Sequence, residues 1–232
     1  MRMFCDETGN IVESNILVKI SKIKYLEEIR SGKLYMKTLE FHRKNEKEGV
    51  GDDEEGMLMH FPKATLKIDG IEVGYAKDCK MYILGDRPVF CCLNVELERV
   101  SNNNFVCVID KQLLADFVGN DEEYGFIVIN KGIFRERVSK ALEKLNLMGW
   151  MHKVTYSDKI EKPSKEEMFR VAFRKRSRFE YQHEYRLVID EPVVDHFVLD
   201  VGDLSDISKI LTIKEIGSDI KIEVELYESN ER

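Results

Sequence analysis

Short apolar runs separated by turn residues recur along most of the chain and predict a protein rich in strands. NILVKI (15–20) is bounded by polar residues, which is typical of a buried strand. Asp69-Gly70 separates ATLKI from IEVGY and predicts a tight hairpin turn, because Asp-Gly tolerates positive φ. The further strand-like segments are KLYMKTLEF, CKMYIL, PVFCCLN, FVCVI, YGFIVI, WMHKVTYS, YQHEYRLVID, VDHFVLDV, SKILTI and KIEVELYE.

Apolar residues at three- and four-residue spacing predict a few helices between these strands. KIKYLEEIR has Ser21 as its expected N-cap and Gly32 as its stop. A longer helix is predicted over 131–147, and a short one at DKQLLADF. Residues 164–173 begin with a Ser-x-x-Glu capping-box pattern. Since strands outnumber helices and tight turns join many of them, the sequence predicts an α+β fold with a mixed, largely antiparallel sheet and a few flanking helices.

Length and composition favour one globular domain over residues 1–232, with 1–13 and 228–232 as loose termini. The 4 prolines are scattered, and no linker or repeat divides the chain. We find no apolar run long enough to span a membrane and no signal-peptide pattern, so we expect a cytoplasmic protein without a membrane partner. The five cysteines have no C-x-x-C spacing and are expected to be reduced and buried.

Charge limits the kinds of ligand that the chain could bind. The net charge of −7 argues against a whole-surface affinity for nucleic acid, so an anionic ligand needs a local basic patch. The five histidines lack metal-binding spacing, and the acidic loop GDDEEG (51–56) lacks the alternation of a calcium loop. We therefore expect no metal site and interpret the acidic loop as solvated. Phosphate-binding and hydrolase glycine motifs are missing from the sequence as well.

The segment FRKRSRFEYQHEYRLVID (173–190) carries the main candidate chemistry. Read as one central strand from Tyr181 to Asp190, it places Gln182, Glu184 and Arg186 on one face, opposite an aromatic and aliphatic face. This polar face could be a solvated surface with a weak Glu–Arg pair. Alternatively, it could be a site where cations bind phosphate and a carboxylate stabilises a developing positive charge. The preceding basic residues are Arg174, Lys175, Arg176 and Arg178.

Five segments together resemble a family of bacterial and phage proteins known only as a domain of unknown function. The resemblance runs from about Asn15 to Ile213. GVGDDEEG stands where the family commonly has an Asn-Asp-Pro turn, and SNNNF where it has a Trp-containing segment. The matching segments are GKLYMKTLEF, GDDEEG, VFCCL, VTYSD and F-x-K…F-x-Y-Q-x-E-Y-R-L.

Gln182-His183-Glu184 is also similar to the Q-x-E motif of ADP-ribosyltransferases. This resemblance implies a split-sheet α+β fold and NAD as substrate. It implies that Glu184 is the catalytic carboxylate, which stabilises the oxocarbenium-like transition state, and that Gln182 positions the acceptor. The early strand offers Lys19 where that superfamily has Arg or His. The NAD-binding residues implied in this way are Lys19, Tyr35, Thr38, Arg174, Lys175 and Arg186.

Two functions remain open from the sequence. The first is an ADP-ribosyltransferase-like enzyme that cleaves NAD, either modifying a protein or nucleic acid or hydrolysing NAD, as a toxin or in phage defence. The second is a non-catalytic binding module that captures a nucleotide, a nucleic-acid backbone or an acidic protein through the basic segment Arg174–Arg186. The observation that would best distinguish these functions is whether Lys19, Tyr35 and Glu184 converge on one cleft.

Overall fold

A computed structural model describes residues 16–44, 52–96, 98–99, 104–109, 123–159, 164–212 and 220–225. The predicted termini 1–13 and 228–232 and the predicted helix DKQLLADF lie outside these ranges. The helices are α1 (Ile23–Arg30), α2 (Leu39–Arg43), α3 (Lys131–Lys144) and two 3-10 helices, Lys165–Phe173 and Ser177–Gln182. The strands are β1 (Ile16–Lys22), β2 (Lys33–Thr38), β3 (Met57–Ile68), β4 (Ile71–Tyr82), β5 (Pro88–Val95), β6 (Glu98–Arg99), β7 (Asn104–Ile109), β8 (Tyr124–Asn130), β9 (Gly149–Lys153), β10 (Thr155–Tyr156), β11 (Arg174–Lys175), β12 (Glu184–Ile189), β13 (His196–Asp200), β14 (Ser208–Thr212) and β15 (Ile220–Glu225).

Antiparallel pairing dominates the sheets, which confirms the predicted α+β fold with a largely antiparallel sheet. The main sheet joins β13, β2, β5, β1, β8 and β14 in that order, and β12 and β9 extend it from β5. Within the part of the chain that the structure describes, only the short β10–β11 pair is parallel. Helices α1 and α3 contact this sheet, whereas α2 directly follows β2.

The main sheet divides along one edge of β5. On that edge β1 pairs with Leu93–Val95 and β2 pairs with Pro88–Val89. Beyond these contacts β1 runs along β8 and β2 runs along β13. The intervening segment 90–92 has no strand partner on this edge among the described strands, whereas on its other edge it pairs with β12. A gap therefore opens between β1 and β2.

Strand β12 is buried on both faces, which contradicts the first of the two interpretations of its polar face, a solvated surface. Tyr185, Leu187 and Ile189 belong to a large apolar cluster that also contains residues of α1 and α3. Val188 belongs to a smaller cluster on the opposite face. Arg186 shares that opposite face and is only 2% exposed. The prediction that this strand is central is confirmed for β12, because β5 and β9 flank it.

The strand prediction is wrong for the first three residues of Tyr181–Asp190. Tyr181 and Gln182 lie in the second 3-10 helix, and His183 adopts a left-handed conformation with φ of 41°. A left-handed residue interrupts an extended strand, so β12 begins only at Glu184. Strand alternation therefore does not explain why the side chains of Gln182 and Glu184 lie on the same side.

Local capping departs from the sequence prediction at several helix ends. Helix α1 begins after Lys22, without a side-chain cap, and Ser21 lies in β1. The predicted strand KLYMKTLEF ends at Thr38, whose hydroxyl accepts a hydrogen bond from the Phe41 amide and begins α2. Ser164 precedes the first 3-10 helix without making the predicted side-chain cap. The predicted stop at Gly32 is confirmed, with φ of 96°.

Strands β3 and β4 form a long hairpin around the predicted Asp69-Gly70 turn. Both turn residues have positive φ, 49° and 80°, which confirms the turn prediction. Each strand has 12 residues, and within the described chain β3 and β4 pair only with each other. The large apolar side chains exposed on this hairpin are Phe61, Leu66, Ile68, Ile71, Val73, Tyr75 and Met81.

Candidate functional site

A cavity of about 150 Å³ lies at the point where β1 leaves β5. Lys19 of β1 and His42 of α2 line one part of it. Glu55, from the acidic loop between α2 and β3, also contributes to the wall. The remaining charged and polar wall comes from β11, the second 3-10 helix and β12, and consists of Lys175, Gln182, Glu184 and Arg186. Several of the candidate residues identified in the sequence therefore lie at the gap between β1 and β2.

Glu184 is held on both carboxylate oxygens. Lys175 Nζ donates a 2.6 Å hydrogen bond to Oε1, and Arg186 Nε donates a 2.7 Å hydrogen bond to Oε2. Lys175 also donates to Gln182 Oε1 at 2.7 Å. Arg186 donates from Nη2 to Glu55 Oε1 at 2.6 Å and from Nη1 to a backbone carbonyl at 2.8 Å. Since Lys175, Arg186 and Glu55 are almost fully buried, this cluster differs from a weak surface ion pair.

The backbone around His183 explains how Gln182 and Glu184 both reach Lys175. The left-handed residue His183 separates the end of the 3-10 helix from the start of β12 and changes the chain direction there. The backbone amide of Glu184 donates a 2.8 Å hydrogen bond to the Tyr156 hydroxyl, which fixes the first residue of the strand. Lys175 is itself placed by the parallel pairing of β11 with β10.

The electrostatic environment fixes the protonation states of the cavity residues. Burial alone would raise the pKa of Glu184, but the charges and hydrogen bonds of Arg186 and Lys175 lower that pKa to about 2. Burial and the nearby Arg186 lower the pKa of His42 to about 4. Burial raises the pKa of the Cys91 thiol to about 11. At neutral pH the cavity therefore has an ionised Glu184, a neutral His42 and a protonated, unreactive thiol.

The acidic loop is packed against the basic segment, so its interpretation as a solvated loop is wrong. Asp52 has no exposed surface and Glu55 is 1% exposed. The two Asp52 oxygens accept hydrogen bonds from the backbone amide and Nε of Arg176, at 3.0 and 2.8 Å. Arg176 Nη2 also donates to Asp53. The complementary charges of GDDEEG and RKRSR were visible in the sequence, but their separation along the chain concealed the contact.

The four predicted basic residues do not share one surface. Arg174 donates to the backbone carbonyl of Met57. Lys175 belongs to the cavity, and Arg176 is paired with the acidic loop. The Arg178 guanidinium lies 4.7 Å from the centre of the Phe179 ring. Of the predicted NAD ligands in this segment, the structure brings Lys175 and Arg186 to the cavity, and Arg174 lies elsewhere.

Three predicted ligands come from the first two strands, and only one of them lines the cavity. Lys19 Nζ donates a 2.7 Å hydrogen bond to Cys91 O, within the gap of the sheet. Tyr35 is 47% exposed and stacks on the His196 ring at 4.9 Å. The Thr38 hydroxyl is used to cap α2. Lys19 and Glu184 therefore line the same cavity, whereas Tyr35 and Thr38 do not.

His42 and Glu55 are cavity residues that the sequence did not single out for a role in a site. His42 Nε2 and Glu55 Oε2 are both buried and have no hydrogen-bond partner among the described residues. Glu55 stood in an acidic loop whose burial no local pattern shows. His42 directly follows a predicted strand, and no metal-binding residue spacing around it identifies it as a site residue.

Comparison of the chain with protein-family models, with curated proteins and with solved structures gives no match. The resemblance to ADP-ribosyltransferases therefore stays a prediction from the Q-x-E motif. In the described ranges no three His, Cys, Asp or Glu side chains are grouped so that they could hold a metal ion. None of the helices described there is long and apolar enough to cross a membrane.

Proposed function

We propose that the protein is an ADP-ribosyltransferase-like enzyme that cleaves the N-glycosidic bond of NAD. One observation carries this proposal: Lys19 and Glu184, from an early and a late strand, line the same cavity at the split of the sheet. The Q-x-E motif supports this class of reaction, and the shared cavity supports the location proposed for the bound NAD. Macromolecular ADP-ribosylation and NAD hydrolysis share this first step and differ only in the nucleophile.

The chemistry follows from the permanent charge of Glu184. When nicotinamide leaves with the electron pair of the glycosidic bond, positive charge develops on the ribose. A carboxylate with a pKa of about 2 stays ionised and stabilises that charge. Such a group is a poor general acid or base at neutral pH, so its role is electrostatic. Water or an acceptor hydroxyl then adds to the anomeric carbon and loses its proton to the solvent.

The size of the cavity determines how NAD would bind. About 150 Å³ is less than the 300 Å³ or more that is typical of sites for drug-sized ligands. Only the reacting ribose end of the dinucleotide therefore enters, with Lys19 at its phosphate. The rest of NAD lies outside the cavity, on the side from which a macromolecular acceptor approaches.

A second candidate function is nucleotide binding without catalysis. This function is favoured by the hydrogen bonding of Glu184. Both of its carboxylate oxygens already accept charged hydrogen bonds, from Lys175 and Arg186. Such a cluster can exist solely to join the acidic loop to β11 and β12. In this case Lys19 holds the phosphate and no bond is cleaved.

Nicotinamide release from NAD distinguishes the two functions. For the enzyme we expect release by wild-type protein, and a loss of about 100-fold or more in Glu184→Gln because the stabilising charge is gone. Since this change also disrupts a buried ion cluster, it should destabilise the fold by about 3–5 kcal/mol. Assays must therefore be run well below the melting temperature of each variant.

Arg176→Met is the matched control for stability. It leaves the buried Asp52 uncompensated but touches no cavity residue, so it should lower the melting temperature and keep the turnover. If wild-type protein releases no nicotinamide, with or without cell extract as a source of acceptors, the binding function is favoured. If release survives Glu184→Gln, the assignment of Glu184 is wrong.

A further inference from the structure

Two buried polar atoms of the cavity lack a hydrogen-bond partner in the described part of the chain. Glu55 is 1% exposed; its Oε1 accepts a hydrogen bond from Arg186 Nη2 and forms an ion pair with Lys175 Nζ at 3.2 Å, while its Oε2 accepts none. Leaving a buried carboxylate oxygen unsatisfied is costly, and the group that satisfies it is a hydrogen-bond donor. His42 Nε2 is the second such atom, on a ring that is neutral at pH 7. The cavity wall therefore offers places for two polar groups of a ligand.

The charges around the cavity do not cancel. Its wall carries three cations, Lys19, Lys175 and Arg186, and two carboxylates, Glu55 and Glu184. Lys175 and Arg186 each form ion pairs with both carboxylates. The contacts of Lys19 within the described residues are the Cys91 carbonyl and the Phe90 ring, without a carboxylate. One positive charge, located at Lys19, is therefore available to a single anionic group.

We infer that the cavity binds a phosphorylated sugar of about pentose size. One sugar hydroxyl donates to Glu55 Oε2, a second bonds to His42 Nε2, and the phosphate pairs with Lys19 Nζ. This inference rests on the proposed function to the extent that the ribosyl phosphate of NAD is such a group, and it holds equally for a protein that cleaves nothing. It adds Glu55 and His42 as ligand-positioning residues that the Q-x-E motif does not supply.

Simpler ligands would interact with only some of the three groups Glu55 Oε2, His42 Nε2 and Lys19 Nζ. Inorganic phosphate would pair with Lys19, but its hydroxyl donor belongs to the anion itself, which Glu55 repels. An uncharged sugar would donate to Glu55 but leave Lys19 without a counter-charge. A cation would face three positive side chains. Hydroxyl groups and one anionic group on the same small molecule satisfy all three positions, and the cavity volume of about 150 Å³ suits a molecule of that size.

Calorimetric titration of the full chain with four probes tests this inference: ribose 5-phosphate, ribose, inorganic phosphate and ribonate. Ribose 5-phosphate should bind about 10-fold or more tightly than ribose or phosphate alone, because each charged hydrogen bond contributes to affinity. Equal affinity for ribose 5-phosphate and phosphate would overturn the role of the hydroxyls. Tighter binding of ribonate would overturn the choice of a phosphate, and no binding of any probe at millimolar concentration would overturn the site.

The affinities of single-residue variants for the same probes test each proposed contact. Lys19→Met should weaken ribose 5-phosphate about 10-fold and leave ribose unchanged, whereas His42→Phe should weaken both. Lys37→Met, which removes an exposed pair with Asp195 outside the cavity, is the matched control and should bind like wild type. Glu55→Gln should weaken both sugars, and its melting curve must show that the ion cluster still folds. Unchanged affinity in both Lys19→Met and His42→Phe contradicts the inference.

The two proposals fail separately. Binding of ribose 5-phosphate without nicotinamide release would contradict the proposed enzyme and leave the sugar-phosphate site intact. Nicotinamide release that depends on Glu184, with KM for NAD unchanged in Lys19→Met and His42→Phe, would contradict the sugar-phosphate site and leave the enzyme intact.

Discussion

Charge compensation is the main property of the residues at the sheet split. Lys175, Arg186, Glu55 and Glu184 together carry no net charge, and each cation contacts both carboxylates. Removing any one of them would leave one uncompensated charge in the buried cluster, which is more destabilising than removing a surface pair. His42 lies beside this cluster as a neutral ring.

Stability should fall between pH 6.5 and about pH 4 because of His42. Burial and the charges of Arg186, Lys19 and Lys175 lower its pKa to about 4, although Glu184 opposes this. The unfolded chain, with a pKa near 6.5, binds more protons in this window, so the contribution to stability is complete above pH 6.5 and lost as pH falls through 4. The loss is roughly 3 kcal/mol at most. Urea unfolding at several pH values should show a flatter profile for His42→Gln; parallel profiles would contradict this.

The chemistry of single residues was predicted better than their surroundings. Strand alternation grouped Gln182, Glu184 and Arg186, and all three do line one cavity. The reason was partly wrong, because Gln182 reaches the cavity from a 3-10 helix. No local pattern could show that Arg186 is buried, since its burial depends on Glu55, a residue of a distant loop. Residue type identified the candidates, and only tertiary contacts decide whether a charge is solvated.

At the scale of elements, tight turns were predicted well and element length was not. The Asp69-Gly70 dipeptide marks the hairpin turn because its backbone needs positive φ, a requirement that belongs to two residues alone. The 12-residue length of β3 and β4 has no such local signal, because their sequence does not alternate strictly. The gap between β1 and β2 is likewise invisible in the sequence, because it depends on which part of β5 each strand pairs with.

Replacing Gly70 by Ala tests the turn separately from packing. Gly70 has φ of 80° and no atom within 4 Å of a new Cβ, so the cost is that of the left-handed backbone alone, about 1 kcal/mol or slightly more. Because the hairpin pairs only with itself among the described strands, amide exchange should accelerate within Phe61–Met81 while the global urea midpoint stays constant. Gly74→Ala, where φ is not positive and space is open, is the control and should exchange like wild type. Equal acceleration in both variants would contradict the conformational explanation.

At the scale of the molecule, β5 and β12 join two apolar clusters on opposite faces of the sheet. Phe90 and Leu187 belong to the larger cluster, whereas Val89 and Val188 belong to the smaller one. Adjacent residues of the same strands thus pack on different faces. The cavity lies against these same two strands. Neither cluster can lose its strands while the other remains intact.

We therefore expect both clusters to unfold in one cooperative transition. The single tryptophan, Trp150, stacks on Phe169 with ring centres 5.0 Å apart and reports on the smaller cluster. Cys92 is buried in the larger cluster, where burial raises the pKa of its thiol to about 12, so it should be alkylated only after unfolding. Tryptophan fluorescence and pulsed alkylation of Cys92, assigned by mass spectrometry, should give the same urea midpoint. Cys79, on the exposed hairpin, serves as the control and should be alkylated at every urea concentration. If Cys92 became reactive at a lower urea concentration than the fluorescence transition, the larger cluster would open independently, and the shared strands would not couple the two faces.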